Sequence, residues 1–338
     1  MPAISWIIPA YNVGSFLPQA IESVQSQSFT DWEMIIVDDG STDDTRDVAL
    51  RYAAADPRIT LLSTPEPSGS AILPRSIGVL HASAPLVAPL DADDSVGPDY
   101  LRNLLDSISS LGAEAVFPVM YGSDSGYSLP VSPIHTPLLG TSLPGRDCIR
   151  YTLDGWRIHC NGGLISRSLY LKALDSFPDG FRHPTADEIL TRLILLNAGS
   201  VAFCDEKYLY RIHPGQITRE ISPRRFDNFI NHRFLLKFIP DRFGKDSEEY
   251  RRIQMQAFHS IFDSLRLINS NRISPEARRH AYREIRATEP LLDRRLIRRC
   301  ANLRYYSLFR LPLPVRRTVL KLIDSLLSLR PSHSSRQS

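Results

Sequence analysis

Three carboxylates lie within four residues, at Asp91, Asp93 and Asp94, directly after an apolar run that begins at Leu86. Carboxylate oxygens are preferred ligands of Mg²⁺ and Mn²⁺, and one or two of them commonly hold such an ion while substrate phosphates complete its coordination. The spacing therefore favours a divalent-cation site for a diphosphate-bearing substrate. The alternative is a solvated acidic turn beside a helix cap, which is the more frequent origin of an isolated Asp-x-Asp.

A second acidic pair, Asp38 and Asp39, ends another apolar run, and Tyr11 and Asn12 follow the first apolar run of the chain. In an open parallel sheet, ligands bind beyond the carboxyl ends of the strands, where those ends lie side by side. We therefore expect these residues and Asp91 to meet at one edge of a sheet, although they are far apart in the sequence.

The elements that must position these residues alternate between strand and helix patterns. Apolar runs typical of buried strands begin at Ile4, Trp32, Ile59 and Leu86, and apolar residues at helical spacing follow each run. Such alternation predicts an α/β fold in which helices flank a mainly parallel sheet.

Charge is distributed unevenly along the chain. Residues 1–215 contain 14 Lys and Arg against 25 Asp and Glu, whereas residues 216–338 contain 26 against 12. The first part suits cations and the second suits phosphate-rich surfaces such as anionic lipid or nucleic acid. Because no recognised nucleic-acid-binding module accompanies the basic residues, we expect no nucleic-acid partner.

Several protein classes are disfavoured by motifs that the sequence lacks. The four cysteines are scattered without a Cys-x-x-Cys pair, which predicts neither a zinc site nor a disulfide framework. No apolar stretch reaches the roughly 18 to 20 residues of a membrane span, so we expect a cytoplasmic location. The glycine-rich fingerprints of dinucleotide oxidoreductases and P-loop ATPases are also missing.

Residues 3 to about 110 resemble the nucleotide-sugar glycosyltransferases of family two. The similarity lies in "SWIIPAYNVGSFLPQAIESVQSQSFTDWEMIIVDDGSTDDT" followed by "PLDADD", in the family's order and spacing, with weaker similarity to about residue 220. This family has the GT-A fold, which is Rossmann-like, and inverts the anomeric centre of the transferred sugar. We accordingly expect a catalytic domain at 1–220, a helical basic region at 221–330 and a disordered tail at 331–338.

The resemblance implies roles for individual residues. Those that match nucleotide-sugar contacts are Pro9, Ala10, Tyr11, Asp38, Asp39, Arg75, Asp91 and Ala92. Asp91 and Asp93 match the Asp-x-Asp that meets the ribose and a Mn²⁺ or Mg²⁺ ion. His213 matches a histidine that approaches the metal or the diphosphate, although a lone histidine is usually a packed or surface residue. We expect Asp94 to be structural.

An inverting transfer needs a carboxylate that takes the proton of the acceptor hydroxyl as its oxygen attacks the sugar. The segment that matches the family's base, "TADEILTRL", offers Asp187 and Glu188 at the start of a predicted helix. Thr185 and Glu188 have capping-box spacing, so we expect Glu188 to serve the helix end and Asp187 to be the base, with Glu188 as the alternative. The segment that matches the acceptor site contains Trp156, His159 and Asn161.

The last helical pattern, "LPLPVRRTVLKLIDSLLSL", is amphipathic. Its apolar stripe comprises Val315, Val319, Leu322, Ile323 and Leu326, and its basic residues are Arg316, Arg317 and Lys321. A helix of this kind can lie on an anionic membrane, in which case the protein would contact the inner face of the cell membrane. The alternative is a helix that packs on the catalytic domain and leaves its basic face in water.

Taken together, the sequence predicts a metal-dependent, inverting glycosyltransferase. Its donor would be a nucleotide-diphosphate sugar, and its acceptor a saccharide or lipid-linked saccharide in cell-surface polysaccharide synthesis. A phosphatase with Asp91 as nucleophile is disfavoured, because that motif normally ends the first strand of its domain. A non-catalytic nucleotide-sugar-binding or membrane scaffold protein is the remaining alternative. The carboxylates that argue against it are Asp38, Asp91, Asp93 and Asp187.

Overall fold

The computed structural model describes residues 1–124, 127–132, 138–153, 158–178, 185–213, 222–270 and 273–328. The chain divides into two compact units, Met1–Gln216 and Ile217–Ser338. Trp156 and the predicted tail at 331–338 lie outside the described residues.

The first unit is built on a mixed sheet, which contains ten strands among the described residues. These are β1 (Ile4–Ala10), β2 (Trp32–Asp38), β3 (Ile59–Ser63), β4 (Leu86–Pro89), β5 (Ser95–Val96), β6 (Ala115–Asp124), β7 (Tyr127–Ser132), β8 (Ser142–Leu143), β9 (Leu164–Ser166) and β10 (Val201–Arg211). Their order is β3-β2-β1-β4-β9-β6-β10-β5, with β7 paired to β6 and β8 to β10. The neighbours β3, β2, β1 and β4 are parallel, as are β6 and β10, and antiparallel β9 lies between these two groups.

Helices connect and cover these strands. They are α1 (Leu17–Gln25), α2 (Thr45–Ala55), α3 (Ile72–His81), α4 (Tyr100–Leu111), α5 (Gly145–Cys148), α6 (Arg167–Asp175) and α7 (Asp187–Asn197). The apolar spacing predicted for α1 is realised, since Leu17, Ala20, Ile21 and Val24 are all buried. Burial of a large apolar side chain such as leucine, isoleucine or valine stabilises the fold by about 1.5–3 kcal/mol. The periodicity therefore determines which face of α1 packs on the sheet.

The strand ends place the acidic residues at one edge of the sheet. Asp38, the last residue of β2, pairs with Ala10, the last residue of β1. The Asp39 N–H then donates to the Ala10 carbonyl at 2.8 Å, and the Leu90 N–H donates to the Ile7 carbonyl at 3.0 Å. The chain after β2 and the chain after β4 therefore leave the sheet on either side of β1, in the same direction.

The second unit is helical in its described part. Its helices are α8 (Asn228–Phe243), α9 (Glu248–Asn269), α10 (Pro275–Thr288), α11 (Arg294–Cys300), α12 (Leu303–Phe309) and α13 (Leu313–Ser328). Helix α9 packs against α8, α10, α11 and α13. None of the helices within the described ranges is long and apolar enough to cross a bilayer.

Helix α13 differs from its sequence prediction at one residue. Arg316 was expected on an exposed basic face beside the apolar stripe, but it is only 1% exposed. Its Nη2 donates to Glu289 Oε1 at 2.9 Å and to the Phe309 carbonyl at 2.8 Å. The basic residues of this helix therefore have different roles, and Arg316 is part of the packed interior of the unit.

Candidate active site

A buried arginine joins two carboxylates from distant parts of the first unit. Arg75, on α3, is 1% exposed. Its Nη2 lies 2.5 Å from Asp91 Oδ1, and its Nη1 lies 3.6 Å from Asp187 Oδ2 at the start of α7. Its Nε and Nη1 are buried and have no hydrogen-bond partner among the described residues. Arg75 therefore keeps hydrogen-bonding capacity that its contact with Asp91 does not use.

Asp91 is held by a second contact, from the loop that precedes β9. The Asn161 side-chain amide donates to Asp91 Oδ2. This loop is attached to the end of β4, because the Gly162 N–H donates to the Pro89 carbonyl at 2.8 Å. Gly162 has a φ of 76°, and a Cβ there would lie 2.4 Å from a ring carbon of Tyr208. Only glycine fits this close approach, which brings Asn161 to Asp91.

Asp187 lies beside His159 as well as Arg75. His159 Nδ1 accepts the Asn161 backbone N–H at 3.1 Å, which assigns the proton of the neutral ring to Nε2. That Nε2 lies 3.3 Å from Asp187 Oδ2. Burial alone would raise the pKa of Asp187, but His159 and Arg75 outweigh it and hold that pKa below its ordinary value. Asp187 is therefore ionised at neutral pH and able to accept a proton.

Glu188 faces a different environment. Its Oε2 lies 3.2 Å from Arg192 Nη1, and Arg192 Nη2 donates to the Thr152 carbonyl at 2.7 Å. Helix α7 begins at Asp187 with Ala186 in the N-cap position, so the predicted capping box at Thr185 is wrong. Burial raises the pKa of Glu188 although Arg192 opposes the shift. Glu188 thus forms an ion pair within its own helix.

The end of the acidic cluster is tied to β10. Asp94 is 1% exposed and accepts the Tyr208 hydroxyl at 2.7 Å and the Arg211 N–H at 2.8 Å. The Tyr208 oxygen in turn accepts the Asp91 N–H at 3.1 Å. Burial and the neighbouring carboxylates Asp93 and Asp91 raise the pKa of Asp94 well above its ordinary value. Asp94 therefore has the structural role expected from the sequence.

Asp93 and His213 are the residues most suited to a divalent cation. Asp93 Oδ2 lies 3.0 Å from His213 Nε2, and the His213 ring packs on Phe16 with centroids 4.4 Å apart. Burial and the charge of Asp91 raise the pKa of Asp93, so a cation there would relieve an excess of negative potential. Both oxygens of Asp91 already have protein partners.

Few metal-ligating side chains lie at the position of Asp93 and His213. Throughout the described segments, no group of three or more His, Cys, Asp or Glu residues is arranged to hold a metal ion. A carboxylate and an imidazole nevertheless suit Mn²⁺ or Mg²⁺ when substrate phosphates and water complete the coordination.

The two carboxylates at the end of β2, Asp38 and Asp39, have different hydrogen-bond partners. Asp39 is 4% exposed and accepts the Thr64 hydroxyl at 2.9 Å and the Ser68 N–H at 3.0 Å, which fixes the loop before α3. Asp38 Oδ1 accepts the Ser41 N–H at 3.2 Å. Its other oxygen has no protein partner within the described ranges, so it is the better placed of the pair to accept a ligand hydroxyl or N–H.

The remaining nucleotide candidates lie close by. Pro9 is half-buried at the end of β1, Ala10 and Ala92 are buried, and Tyr11 is 45% exposed. A buried alanine offers a ligand mainly its backbone. Tyr11 exposes much of its ring at the same sheet edge as Asp38, where a planar base could stack.

Tyr208 and Arg211 also hold the acidic cluster in place, and neither was predicted from the sequence. Arg211 Nε donates to the Asp93 carbonyl at 2.9 Å, so β10 fixes the backbone of the acidic cluster at several points. The available signal was a tyrosine on a buried strand, because a buried phenol hydroxyl usually needs a partner. The sequence does not identify that partner, which lies far away in the chain.

Comparison with known proteins bears on this site. Residues 5–170 match the family described as Glycosyl transferase family 2. TuaG of Bacillus subtilis, a glycosyltransferase assigned to teichuronic acid biosynthesis, is 35% identical over 161 residues, which are 46% of this chain and 60% of TuaG. GlyG of Streptococcus pneumoniae, a glycosyltransferase, is 26% identical over 226 residues, or 64% of this chain and 73% of GlyG. The chain thus spans less than two thirds of TuaG.

A solved structure shares the fold. Residues 1–349 of S. aureus TarS in complex with UDP-GlcNAc superpose with a TM-score of 0.64 at 19% identity, covering 91% of this chain and 90% of that one. At this identity the likeness concerns the fold alone, and it confirms the predicted GT-A class.

Proposed function

The chain belongs to glycosyl transferase family 2, and from this premise we propose that it transfers a glycosyl group from a nucleoside diphosphate sugar to an acceptor hydroxyl, with inversion. The acceptor is a saccharide or lipid-linked saccharide, and the product is part of a cell-surface polysaccharide made at the inner face of the membrane. The assignment of TuaG to teichuronic acid biosynthesis supports this product class.

One observation carries the proposal: Arg75 lies between Asp91, after β4, and Asp187, at the start of α7. A single buried cation thus contacts two carboxylates. One belongs to the acidic cluster, and the other is suited to proton transfer. A non-catalytic scaffold would have no need of the second carboxylate. We therefore favour an enzyme over the scaffold alternative.

Asp187 is the general base in this proposal. The acceptor oxygen attacks C1 of the donor sugar, its proton passes to Asp187 Oδ2, and the C1–O bond breaks with its electron pair leaving on the nucleoside diphosphate. His159 and Arg75 approach Oδ2 at 3.3 and 3.6 Å, distances longer than a strong charged hydrogen bond. They keep Asp187 ionised, and its side chain remains 15% exposed.

The donor is held by residues at the sheet edge. Asp38 binds the base or ribose through its unpaired oxygen, Tyr11 lies against the base, and Arg75 supplies a buried positive charge beside Asp91. Asp93 and His213 would hold a Mn²⁺ or Mg²⁺ ion, and such an ion would supply charge neutralisation for the leaving diphosphate. The positive charge of Arg75, paired with Asp91, contributes to the same electrostatic stabilisation.

The experiment is a thermal-shift panel of UDP, GDP and dTDP sugars with Mn²⁺, followed by NMR analysis of the product formed from the best donor. We expect one donor family to stabilise the protein and the product to have the opposite anomeric configuration to the donor. Retention of configuration would contradict the single displacement at Asp187, and the absence of any stabilising sugar nucleotide would contradict the donor assignment.

A further inference from the structure

The second unit contains a cationic cavity of about 630 Å³ between α10 and α13. It is lined by Arg279, Tyr282, Arg283, Arg286, Leu313, Pro314, Arg317 and Thr318. On α10 the three arginines follow helical spacing, so they share one face of that helix. The volume falls within the range of small-molecule sites, about 300–1,000 Å³.

Most of this positive charge is not neutralised. No carboxylate of the described residues lies within ion-pair distance of Arg279, Arg286 or Arg317, whereas Arg283 Nε lies 3.2 Å from Glu284 Oε1. Arg317 is held in place, because its Nε donates to Asn269 Oδ1 at 2.9 Å. The cavity therefore combines a fixed guanidinium with two unpaired ones.

Guanidinium groups grouped in this way suit phosphate. Their planar donors bind phosphate oxygens in pairs, and several of them can share one doubly charged group. A single carboxylate would leave most of the charge in the cavity uncompensated. The chemistry of the lining thus favours a phosphate or diphosphate group.

Apolar side chains lie beside the cavity on α13. Val315 is 47% exposed and Leu322 is 60% exposed. Their positions are three residues before and four residues after Thr318, so all three share one helix face. Leu313 and Pro314 add apolar surface to the lining itself. A ligand that matches both features carries a phosphate next to a hydrocarbon chain.

We propose that the cavity between α10 and α13 binds the phosphate or diphosphate headgroup of an anionic lipid. Such a site goes beyond the transferase reaction, and binding to it can be measured without turnover. It would recruit the protein to a membrane surface.

The test measures binding of the full chain to vesicles of equal parts phosphatidic acid and phosphatidylcholine, with pure phosphatidylcholine vesicles as the blank. We compare Arg279→Gln/Arg286→Gln with Arg298→Gln/Arg299→Gln, a pair of exposed arginines on α11 that loses the same charge. Each arginine near an anionic membrane surface contributes about 1 kcal/mol to binding. Loss of two should therefore make the cavity variant bind the vesicles about 30-fold more weakly than the wild type. The α11 variant should retain most of the binding.

Two further arms separate lipid binding from recognition of a free phosphate group. Inorganic pyrophosphate should compete with the vesicles, and Val315→Ser/Leu322→Ser should weaken vesicle binding while pyrophosphate binding is unchanged. Pyrophosphate binding without vesicle binding would support phosphate recognition but overturn the lipid as its source. Equal losses in the α10 and α11 variants, or binding of neither ligand by the wild type, would overturn the site.

Discussion

Arg75→Gln removes the cation that Asp91 and Asp187 share. At 3.6 Å and an effective dielectric constant of about 20, the Arg75–Asp187 attraction is about 4–5 kcal/mol before desolvation, and the contact with Asp91 at 2.5 Å is closer. Removing one partner of a buried ion pair costs about 3–5 kcal/mol, because the other charge stays buried. For a unit of this size, the loss corresponds to a decrease in Tm of about 6–20 °C.

The assay is urea unfolding followed by the fluorescence of Trp6 and Trp32, both of which are buried in the first unit. Arg75→Lys should lose less stability than Arg75→Gln, since it keeps the charge, but it cannot span both carboxylates with one ammonium group. Arg51→Gln, an exposed arginine on α2, is the matched control, and we expect a change within about 0.5 kcal/mol.

A double-mutant cycle of Arg75→Gln with Asp187→Asn completes the test. Because the second substitution removes a charge that the first leaves uncompensated, the double variant should be more stable than additivity predicts, with a coupling of about 0.5–3 kcal/mol. Additive losses, or a loss for Arg75→Gln as small as that of the control, would refute the reasoning that Arg75 is held by both carboxylates.

Three further predictions concern neighbouring side chains. His159→Gln should move the acid limb of the kcat/KM profile to higher pH, because His159 lowers the pKa of Asp187 and its loss allows that carboxylate to protonate earlier; an unmoved limb would count against this contact. Asp93→Asn should abolish the Mn²⁺-dependent part of donor binding in calorimetry, and undiminished Mn²⁺ dependence would place the ion elsewhere. Tyr208→Phe should lower the unfolding free energy by about 1–3 kcal/mol, because it leaves buried Asp94 without one donor, and a neutral effect in urea unfolding would contradict that role.

The position of the acidic residues could be predicted from the sequence because it depends on local patterns and on one rule of topology. Apolar runs gave the strands, helical spacing gave the connections, and parallel strands put Asp38 and Asp91 at one edge. The buried face of α1 follows from the same periodicity.

The contacts of Asp187 could not be predicted in this way. They depend on how α3 and α7 pack on the sheet, and neither helix signals its partner in its own sequence. His159 and Asn161 were expected at the acceptor site, which stays a prediction, and the sequence did not indicate that they contact Asp187 and Asp91. The role of Asn161 depends on Gly162, whose close approach to Tyr208 appears only in three dimensions.

Local patterns were also overridden by distant partners. Spacing indicated a capping role for Glu188, but Arg192 on the next helical turn pairs with it instead. Helical periodicity placed Arg316 on an exposed basic face, but the structure buries it against Glu289. The Glu289 carboxylate and the Phe309 carbonyl bind its guanidinium there, and neither partner is signalled by the sequence of α13.

The central claim is that Asp187 takes the acceptor's proton and has no part in holding the donor. Its most direct test is donor affinity and transfer rate, measured on one preparation of Asp187→Asn with Glu188→Gln as the matched control. For Asp187→Asn we predict unchanged donor affinity and a transfer rate lower by about 10²–10⁴-fold. Glu188→Gln should largely keep the transfer rate of the wild type. Full turnover by Asp187→Asn, or loss of the rate in Glu188→Gln alone, would contradict it.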